Sequence, residues 1–499
     1  EFNDAQLLLS NLYVLDGNYE QALTGFEQYI NDHPHNLVVQ INHINVLIQA
    51  QKLKLAEQRI DNLLNAFPSL AVINELKAEV SLRQGKYQEA TEYASIALTN
   101  QSNLFKANMV AGISFFKIDN PEMAYHHLVL IENDLPNNHF AKQILTQVKL
   151  QLGYTEEAIA VIDSLSDISE KDFQLLASAS VALLKSGDSI KAEKYIKKMD
   201  DIDTNDAQML SKRGVFKLSV NDNSGVDDLN KAISTDPEFQ QPRLALLYNY
   251  IQNQKYQEAM TVANTWVNDF PELENGYLAQ GIVWRSQDNQ QLALQAFEKA
   301  LSINPDSIGA LFNIASYEYN EQRYNRSLVL TKRLLDISAN HSGGLDLLVN
   351  LSSRLEDGNE VIAYIEQKMG SVKDDLIYQI ALAKSLENTG KQEQALANLK
   401  AIKQQAGDNT LYLTIYGQMA FRVKQYVLSE QLFRQLIKVD SASFVAQNGL
   451  LFSLEAQKKY QQAFTEVKTA QQRFPQRKEL LLYEANYLTM SRSYSNAKQ

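Results

Sequence analysis

Residues 274–307 read Glu-Asn-Gly-Tyr-Leu-Ala-Gln-Gly-Ile-Val-Trp-Arg-Ser-Gln-Asp-Asn-Gln-Gln-Leu-Ala-Leu-Gln-Ala-Phe-Glu-Lys-Ala-Leu-Ser-Ile-Asn-Pro-Asp-Ser. Apolar or small residues fall at Tyr277, Gly281 and Trp284, then at Ala293, Ala296, Phe297 and Ala300, the i, i+3, i+4 spacing of two amphipathic helices. Asp288-Asn289-Gln290 separates them, and Asn304-Pro305 stops the second, because proline disfavours an α conformation in the residue before it. The stretch predicts a helical hairpin. Its length recurs: Pro237, Pro271 and Pro305 are 34 apart, Pro34, Pro68 and Pro136 keep the same ruler, and seven of the nine prolines obey it. Small residues follow it too, at Ala22, Ala56, Ala90, Ala124, Ala158 and Ala192, then after a one-residue slip at Gly225, Ala259, Ala293, Ser327, Val361, Ala395, Ser429, Ala463 and Ala497. A second small series lies twelve residues earlier, with Ser10, Ala78, Gly112, Ser180, Gly281, Ala315, Ala383, Gly417 and Ala485, and Gly214 eleven earlier. Two small residues facing each other let a pair of helices approach to roughly 8 Å.

Composition agrees with a linear array. The chain has 499 residues, more than one compact core accommodates, and it is 45% hydrophobic with 24 Tyr and 19 Phe, which excludes disorder. No run of about 18 apolar residues occurs, so no transmembrane helix is expected. Residues 1–6, Glu-Phe-Asn-Asp-Ala-Gln, do not read as a signal peptide. The absence of cysteine excludes disulfides, zinc-thiolate sites and thiol nucleophiles, and fits an oxidising compartment as well as it fits drift. A net charge of −12 argues against a nucleic-acid partner, although basic residues outnumber acidic ones from Arg422 onward.

Gly17, Tyr19, Ala22, Phe26 and Pro34 in the first unit, Gly85, Tyr87, Ala90 and Ala97 in the third, and Gly281, Trp284, Ala293, Phe297, Ala300 and Pro305 in the ninth resemble the tetratricopeptide repeat. The resemblance covers essentially the whole chain. It implies an all-α fold, an α-α superhelix of fourteen 34-residue hairpins beginning near Asn3, Leu37, Ala71, Phe105, His139, Phe173, Ala207, Gln240, Glu274, Ile308, Ser342, Leu376, Thr410 and Phe444. The organisation expected is units 1–6 over 1–206, and unit 7 over 207–239 with a one-residue deletion at Val220–Gly225 that changes the local twist. Units 8–10 then fill 240–341, an atypical unit 11 fills 342–375, and units 12–14 with the start of a fifteenth fill 376–499. Ala497 is expected in the second helix of that last unit. With no polar cap after it, further repeats beyond Gln499 are expected.

No catalytic constellation survives inspection. His33-Pro34-His35 and His126-His127 lack the spacing of a zinc hydrolase and read as solvated surface histidines. Asp201-x-Asp203-x-Asn205 opens like a calcium loop but has Asp206 and Lys212 at the wrong places, so it reads as an inter-repeat turn. Asp227-Asp228 and Asp374-Asp375 point apart on a helix. Trp266, Trp284 and the tyrosines at 19, 87, 256, 324, 426 and 460 read as packing residues. No metal, cofactor or catalytic residue is expected, and the chain reads as a non-enzyme.

By the resemblance, unit positions 2, 5, 9, 12 and 13 of the first helices, with position 6 nearby, face a concave groove. They place Tyr248, Arg285, Phe312, Asn313, Ser316, Tyr319, Asn320, Lys384, Gln418 and Arg422 there as candidate binding residues, with Asn313 at a position that often holds a ligand backbone. A protein or peptide partner is implied. The Lys and Asn set that clamps a C-terminal carboxylate in cochaperone members is not assembled, which disfavours a peptide-binding cochaperone. The phrase Phe297-Glu298-Lys299-Ala300-Leu301-Ser302-Ile303-Asn304-Pro305 is similar to the long bacterial repeat lipoproteins of PEP-CTERM/exosortase and exopolysaccharide systems. That resemblance implies a periplasmic scaffold in polysaccharide export or surface-protein sorting, with a lipid anchor upstream. The alternatives are a cytoplasmic location and the substrate-recruiting region of a larger enzyme such as a glycosyltransferase.

Overall fold

The computed structural model describes residues 2–136, 139–165, 168–370 and 375–497. Among these the chain forms 30 α-helices, three short 3-10 turns and no strand. The helices pair as fourteen hairpins in the expected register, from Phe2–Leu15 with Tyr19–Asp32 to Phe444–Ala456 with Tyr460–Arg473, followed by the single helix Glu479–Ala497. The chain divides into two compact units, Glu1–Ala245 and Leu246–Gln499. Each is a stack of hairpins.

The small-residue series does what its spacing predicts. Every member whose side chain is described is buried, from Ala22 through Ala463. Where serine replaces alanine, its hydroxyl donates to the facing carbonyl of the partner helix, Ser327 to Ala315 and Ser429 to Gly417, both at 2.8 Å. A Cβ on Gly281 would meet the Phe297 ring at 2.4 Å, so a larger residue would force the helices apart at a cost of about 1–3 kcal/mol.

The repeat ruler is sharpest in the turns. Gly17, Gln51, Gly85, Asp119, Gly153, Gly187 and Asn221 all have positive φ, and after the slip so do Gln254, Asp288, Gln322, Gly390, Lys424 and Lys458. The next residue's N–H donates to the carbonyl five residues back at 2.8–2.9 Å, as from Asn18 to Tyr13 and from Lys459 to Leu454, closing the first helix of each hairpin. Unit 7 keeps this turn at Asn221. Its missing residue is absorbed just afterwards, where three successive i→i+3 bonds (Gly225 to Asp222, Val226 to Asn223, Asp227 to Ser224) wind the start of Gly225–Thr235 more tightly. Unit 11 alone breaks the rule. Its first helix, Ser342–Leu351, ends early, and Asn388 of the next hairpin donates to the Val349 carbonyl at 2.9 Å.

Two expectations are corrected. Ala497 does not sit in a second helix: the turn register falls at Arg492, but Glu479–Ala497 runs through it unbroken. A left-handed arginine costs roughly 1–2 kcal/mol, a cost that Lys424 and Lys458 bear where a second helix packs behind the turn. His127 is not a solvated histidine. It is buried, its Nδ1 lies 3.0 Å from Asn108 Oδ1, and its ring stacks on Phe115 at 5.6 Å, because residues adjacent on a helix point about 100° apart and only His126 faces water. Burial, with a smaller contribution from His126, lowers its pKa to about 4. Asp374 and residues 498–499 of the terminal unit lie outside the described residues.

Candidate binding groove

In the unit Glu1–Ala245, the first helices of hairpins 6 and 7 are Phe173–Ser186 and Ala207–Ser219. The second of these is anchored from behind. Gly214 and Gly225 bring the two helices of hairpin 7 into backbone contact: a Cβ on either would lie 2.7 or 2.4 Å from the other's carbonyl oxygen. Beside them Arg213 donates to Asp228, and to the carbonyls of Met199 and Ile202 at 2.9 and 3.1 Å, while Lys217 pairs with Asp200 and Asp228. Arg213, Lys217 and Asp228 are all buried. Burial by itself would lower the Lys217 pKa, but Asp200 and Asp228 outweigh it and the value is raised. The ammonium therefore stays charged and holds the helix in place.

The opposite face of these helices lines a groove of about 1160 Å³, above the roughly 300–1,000 Å³ of most ligand pockets. It is open because its floor is built from small side chains: Ala177, Ser178 and Ala182 on one helix and Ser211 on the other, with Val181 and Val215 alongside. Phe173 and Phe216 form an edge-to-face pair 6.1 Å apart at one side. Leu150, Gln151 and Phe239 complete the wall. The rim is polar. Gln174, Gln208 and Gln241 recur at unit position 2, spaced 34 and 33 residues apart, and all three are exposed. The charged lining consists of Lys185 and Lys212, and among the described residues neither has an ion-pair partner. This basic lining sits in an acidic unit: residues 1–245 hold 21 Lys and Arg against 33 Asp and Glu, which accounts for the whole net charge of −12.

The residues expected from sequence lie in the other unit, Leu246–Gln499, and most are engaged with side chains or carbonyls of their own or a neighbouring repeat. Arg285 donates to the Asn313 Oδ1, and Asn313 Nδ2 donates to the Gly309 carbonyl at 2.7 Å, so both ends of that amide are occupied. Ser316 Oγ donates to the Phe312 carbonyl at 2.8 Å, and the Phe312 ring packs 5.0 Å from His341. Tyr319 lies edge-on to Tyr324 at 5.5 Å and hydrogen-bonds Arg354, whose pKa is raised by that bond. Lys384 pairs with Asp346 at 3.4 Å, and Arg422 binds Glu387 through two bonds of 2.6 Å. Gln418 and Arg422 border a cleft of about 370 Å³ with Phe421, Phe433, Phe444 and Phe452. Tyr248 and Asn320 are exposed. The structure thus brings Arg285, Phe312, Asn313 and Ser316 into one cluster and Gln418 with Arg422 into another; it does not gather all ten.

The groove in the first unit escaped the sequence reading, although a signal was present. Gln174, Ala177, Val181 and Lys185 occupy positions 2, 5, 9 and 13 of unit 6, and Gln208, Ser211, Val215 and Ser219 occupy the same positions of unit 7. Alanine, serine and valine at those positions are inconspicuous as binding residues, yet they are what leaves room for a ligand.

Among the described residues no group of three or more His, Asp or Glu side chains is placed to hold a metal ion, and no helix is long and apolar enough to cross a membrane. Residues 4–36 match a family model, the tetratricopeptide repeat, so the first hairpin is such a repeat by its own sequence, and the structure repeats that hairpin along the chain. No curated protein matches the chain. Among solved structures, the chain is similar to the APC/C hetero-tetramer Cut9-Hcn1, at 13% identity over 97% of this chain and 96% of that one, with a TM-score of 0.31. It is also similar to a tetratricopeptide repeat protein from Parabacteroides merdae, at 16% identity over 50% of this chain and 98% of that one, with a TM-score of 0.35. Function therefore has to be read from the residues themselves.

Proposed function

We propose that the chain is a non-catalytic scaffold that binds another protein through the first-helix face of the unit Glu1–Ala245. One observation carries this reading: an open groove of about 1160 Å³ with an apolar floor and a polar rim whose lysines have no ion-pair partner among the described residues. Repeat stacks of this kind use such surfaces for binding, because each added hairpin lengthens the face without a new core. The ten residues in the other unit are the secondary candidate surface, with the aromatic cleft beside Gln418 and Arg422 as its most open part. The reading is tested by placing a photo-crosslinking amino acid at Val215 and, as a control on a second helix, at Ile190. A single partner should crosslink at Val215 and bind the purified chain, and Val215→Arg should abolish that binding. Equal crosslinking at both positions would exclude the groove.

We further place the scaffold in the bacterial cell envelope, serving exopolysaccharide export or exosortase-linked sorting. The phrase from Phe297 to Pro305 and the lack of cysteine support that placement. Fractionation of cells expressing the full reading frame decides it, and recovery in the cytoplasm would overturn it. Recruitment of substrate to a glycosyltransferase is the alternative, and a nucleotide-sugar-binding domain in the same reading frame would establish it.

A further inference from the structure

We infer that copies of this chain join head to tail, the first helix of one copy, Phe2–Leu15, seating on the last helix of another, Glu479–Ala497. Each of these helices leaves bare a face that the repeat elsewhere covers. At unit positions 3, 7 and 10 a first helix meets the second helix of the hairpin before it: Lys77 reaches Glu57 and Asp61 there, and a Cβ on Gly276 would strike Val267. Val39, His43 and Val46 of the second hairpin and Ala446, Leu450 and Ser453 of the fourteenth hold these positions and are all buried. In Phe2–Leu15 the same positions are Ala5, Leu9 and Leu12, and all three are exposed. Leu8 and Leu15 extend the stripe and are 63% and 83% exposed, while Leu7 and Val14 on the other side pack into the first hairpin. A helix that is apolar on both faces is built to be covered on both.

The tail shows the complementary vacancy. Position 8 of a first helix packs against the second helix of its own hairpin, and the small series from Ser10 to Gly417 is buried there. Ala485 holds that position in Glu479–Ala497 and is exposed, flanked by Leu481 and Leu482 at 61% and 68% exposure. Seating Phe2–Leu15 in the place of a second helix covers both apolar faces at once.

Charge selects this pairing over head with head or tail with tail. Residues 1–36 carry six acidic and no Lys or Arg side chains, whereas residues 444–499 carry eight Lys and Arg against four acidic. Lys458, Arg473 and Lys478 have no ion-pair partner among the described residues. Opposite ends therefore attract, and like ends repel. A helix in the second-helix place runs antiparallel to the first, which brings the exposed Asp16, just past Leu15, to Arg477 and Lys478 at the start of Glu479–Ala497. Because the two faces differ, the contact is heterologous and each added copy leaves one face of each kind free for the next.

The test is sedimentation velocity on the full chain. Species heavier than the 56.5 kDa monomer should appear and grow between about 5 and 500 µM. Leu8→Glu/Leu12→Glu blocks the head and Leu481→Glu/Leu482→Glu blocks the tail. Each variant alone should be a monomer, and an equimolar mixture of the two should form a dimer that grows no further. Asp16→Lys should weaken the association by at least about threefold, and Asp16→Lys/Lys478→Asp should restore it. Circular dichroism confirms that each variant keeps its helices. A wild-type chain that stays monomeric overturns the inference and leaves the two faces to a flanking hairpin. A dimer formed by the tail-blocked variant alone would mean head on head, one formed by the head-blocked variant alone would mean tail on tail, and either overturns it. Failure of the charge swap to restore association overturns the antiparallel seating.

Discussion

The two units use one repeat in different ways. In Leu246–Gln499 two short apolar clusters around Trp266 and Phe297 are followed by one long cluster that runs from Ala315 to Tyr487, and among the described residues of the unit Glu318 is the buried charged side chain. In Glu1–Ala245 the apolar core is parcelled into shorter clusters, and buried charges such as Lys77, Lys149, Arg213, Lys217 and Asp228 lie among them. The first-helix faces reverse that pattern. In the second unit the rim groups pair across repeats, Arg285 with Asn313, Asp346 with Lys384 and Glu387 with Arg422, whereas in the first the lysines and glutamines around the groove are left open. Groups left unpaired on a surface stay hydrated and free to meet a ligand; the same groups paired with one another link neighbouring repeats. The difference teaches that, within this repeat, the same register can build either a paired face or an open groove.

The largest effect should follow from breaking the anchor behind the groove. Asp228→Ala leaves Arg213 buried without its carboxylate and Lys217 with Asp200 alone, and should cost roughly 3–5 kcal/mol in denaturant unfolding. Hydrogen exchange should show the loss in Glu1–Ala245. A stability loss below about 1 kcal/mol would mean that the cluster is not what holds hairpin 7.

Acid should separate the units next. His127 has a folded pKa of about 4 against an ordinary 6.5, so between these values the unfolded chain takes up a proton that the folded chain refuses. The stabilisation is complete above pH 6.5 and fades as pH falls toward 4, by roughly 3 kcal/mol in full. The unit Leu246–Gln499 contains only His341, at a helix N-cap. Limited proteolysis at pH 5 should therefore cut the first unit before the second; the reverse order would refute the assignment, and His127→Gln should flatten the dependence.

A steric block sharpens the comparison of the two faces. Val215→Arg should weaken partner binding more than about tenfold with little change in stability, since Val215 is exposed, while Ser316→Arg in the braced face should leave binding within about twofold. The smallest effect belongs to the turns. Lys424→Gly and Lys458→Gly should each raise stability by up to about 1 kcal/mol by relieving a left-handed lysine, and Gly153→Ala should lower it by about as much. Thermal unfolding resolves the signs.

Hairpin count and register were legible because prolines and small residues mark helix ends and close contacts locally. The turn ruler was only partly legible. Glycine at 17, 85 and 153 announces positive φ, but Gln254, Gln322, Lys424 and Lys458 adopt it against their own preference, held by the closing hydrogen bond and the packing of the hairpin. His127 was misread for a related reason: its partners Asn108 and Phe115 come from the facing helix, out of sight in the local sequence.

The amino-acid sequence by itself determined the all-α hairpin array, since a 34-residue period of helix faces and stops is a local property. Which first-helix groups are spent and which are free was decided only in three dimensions. Arg285 meets Asn313, and Glu387 meets Arg422, across 28 and 35 residues of chain, whereas Lys185 and Lys212 meet no carboxylate among the described residues. The reason is geometric: a charge is satisfied by what the next repeat places within about 4 Å of it.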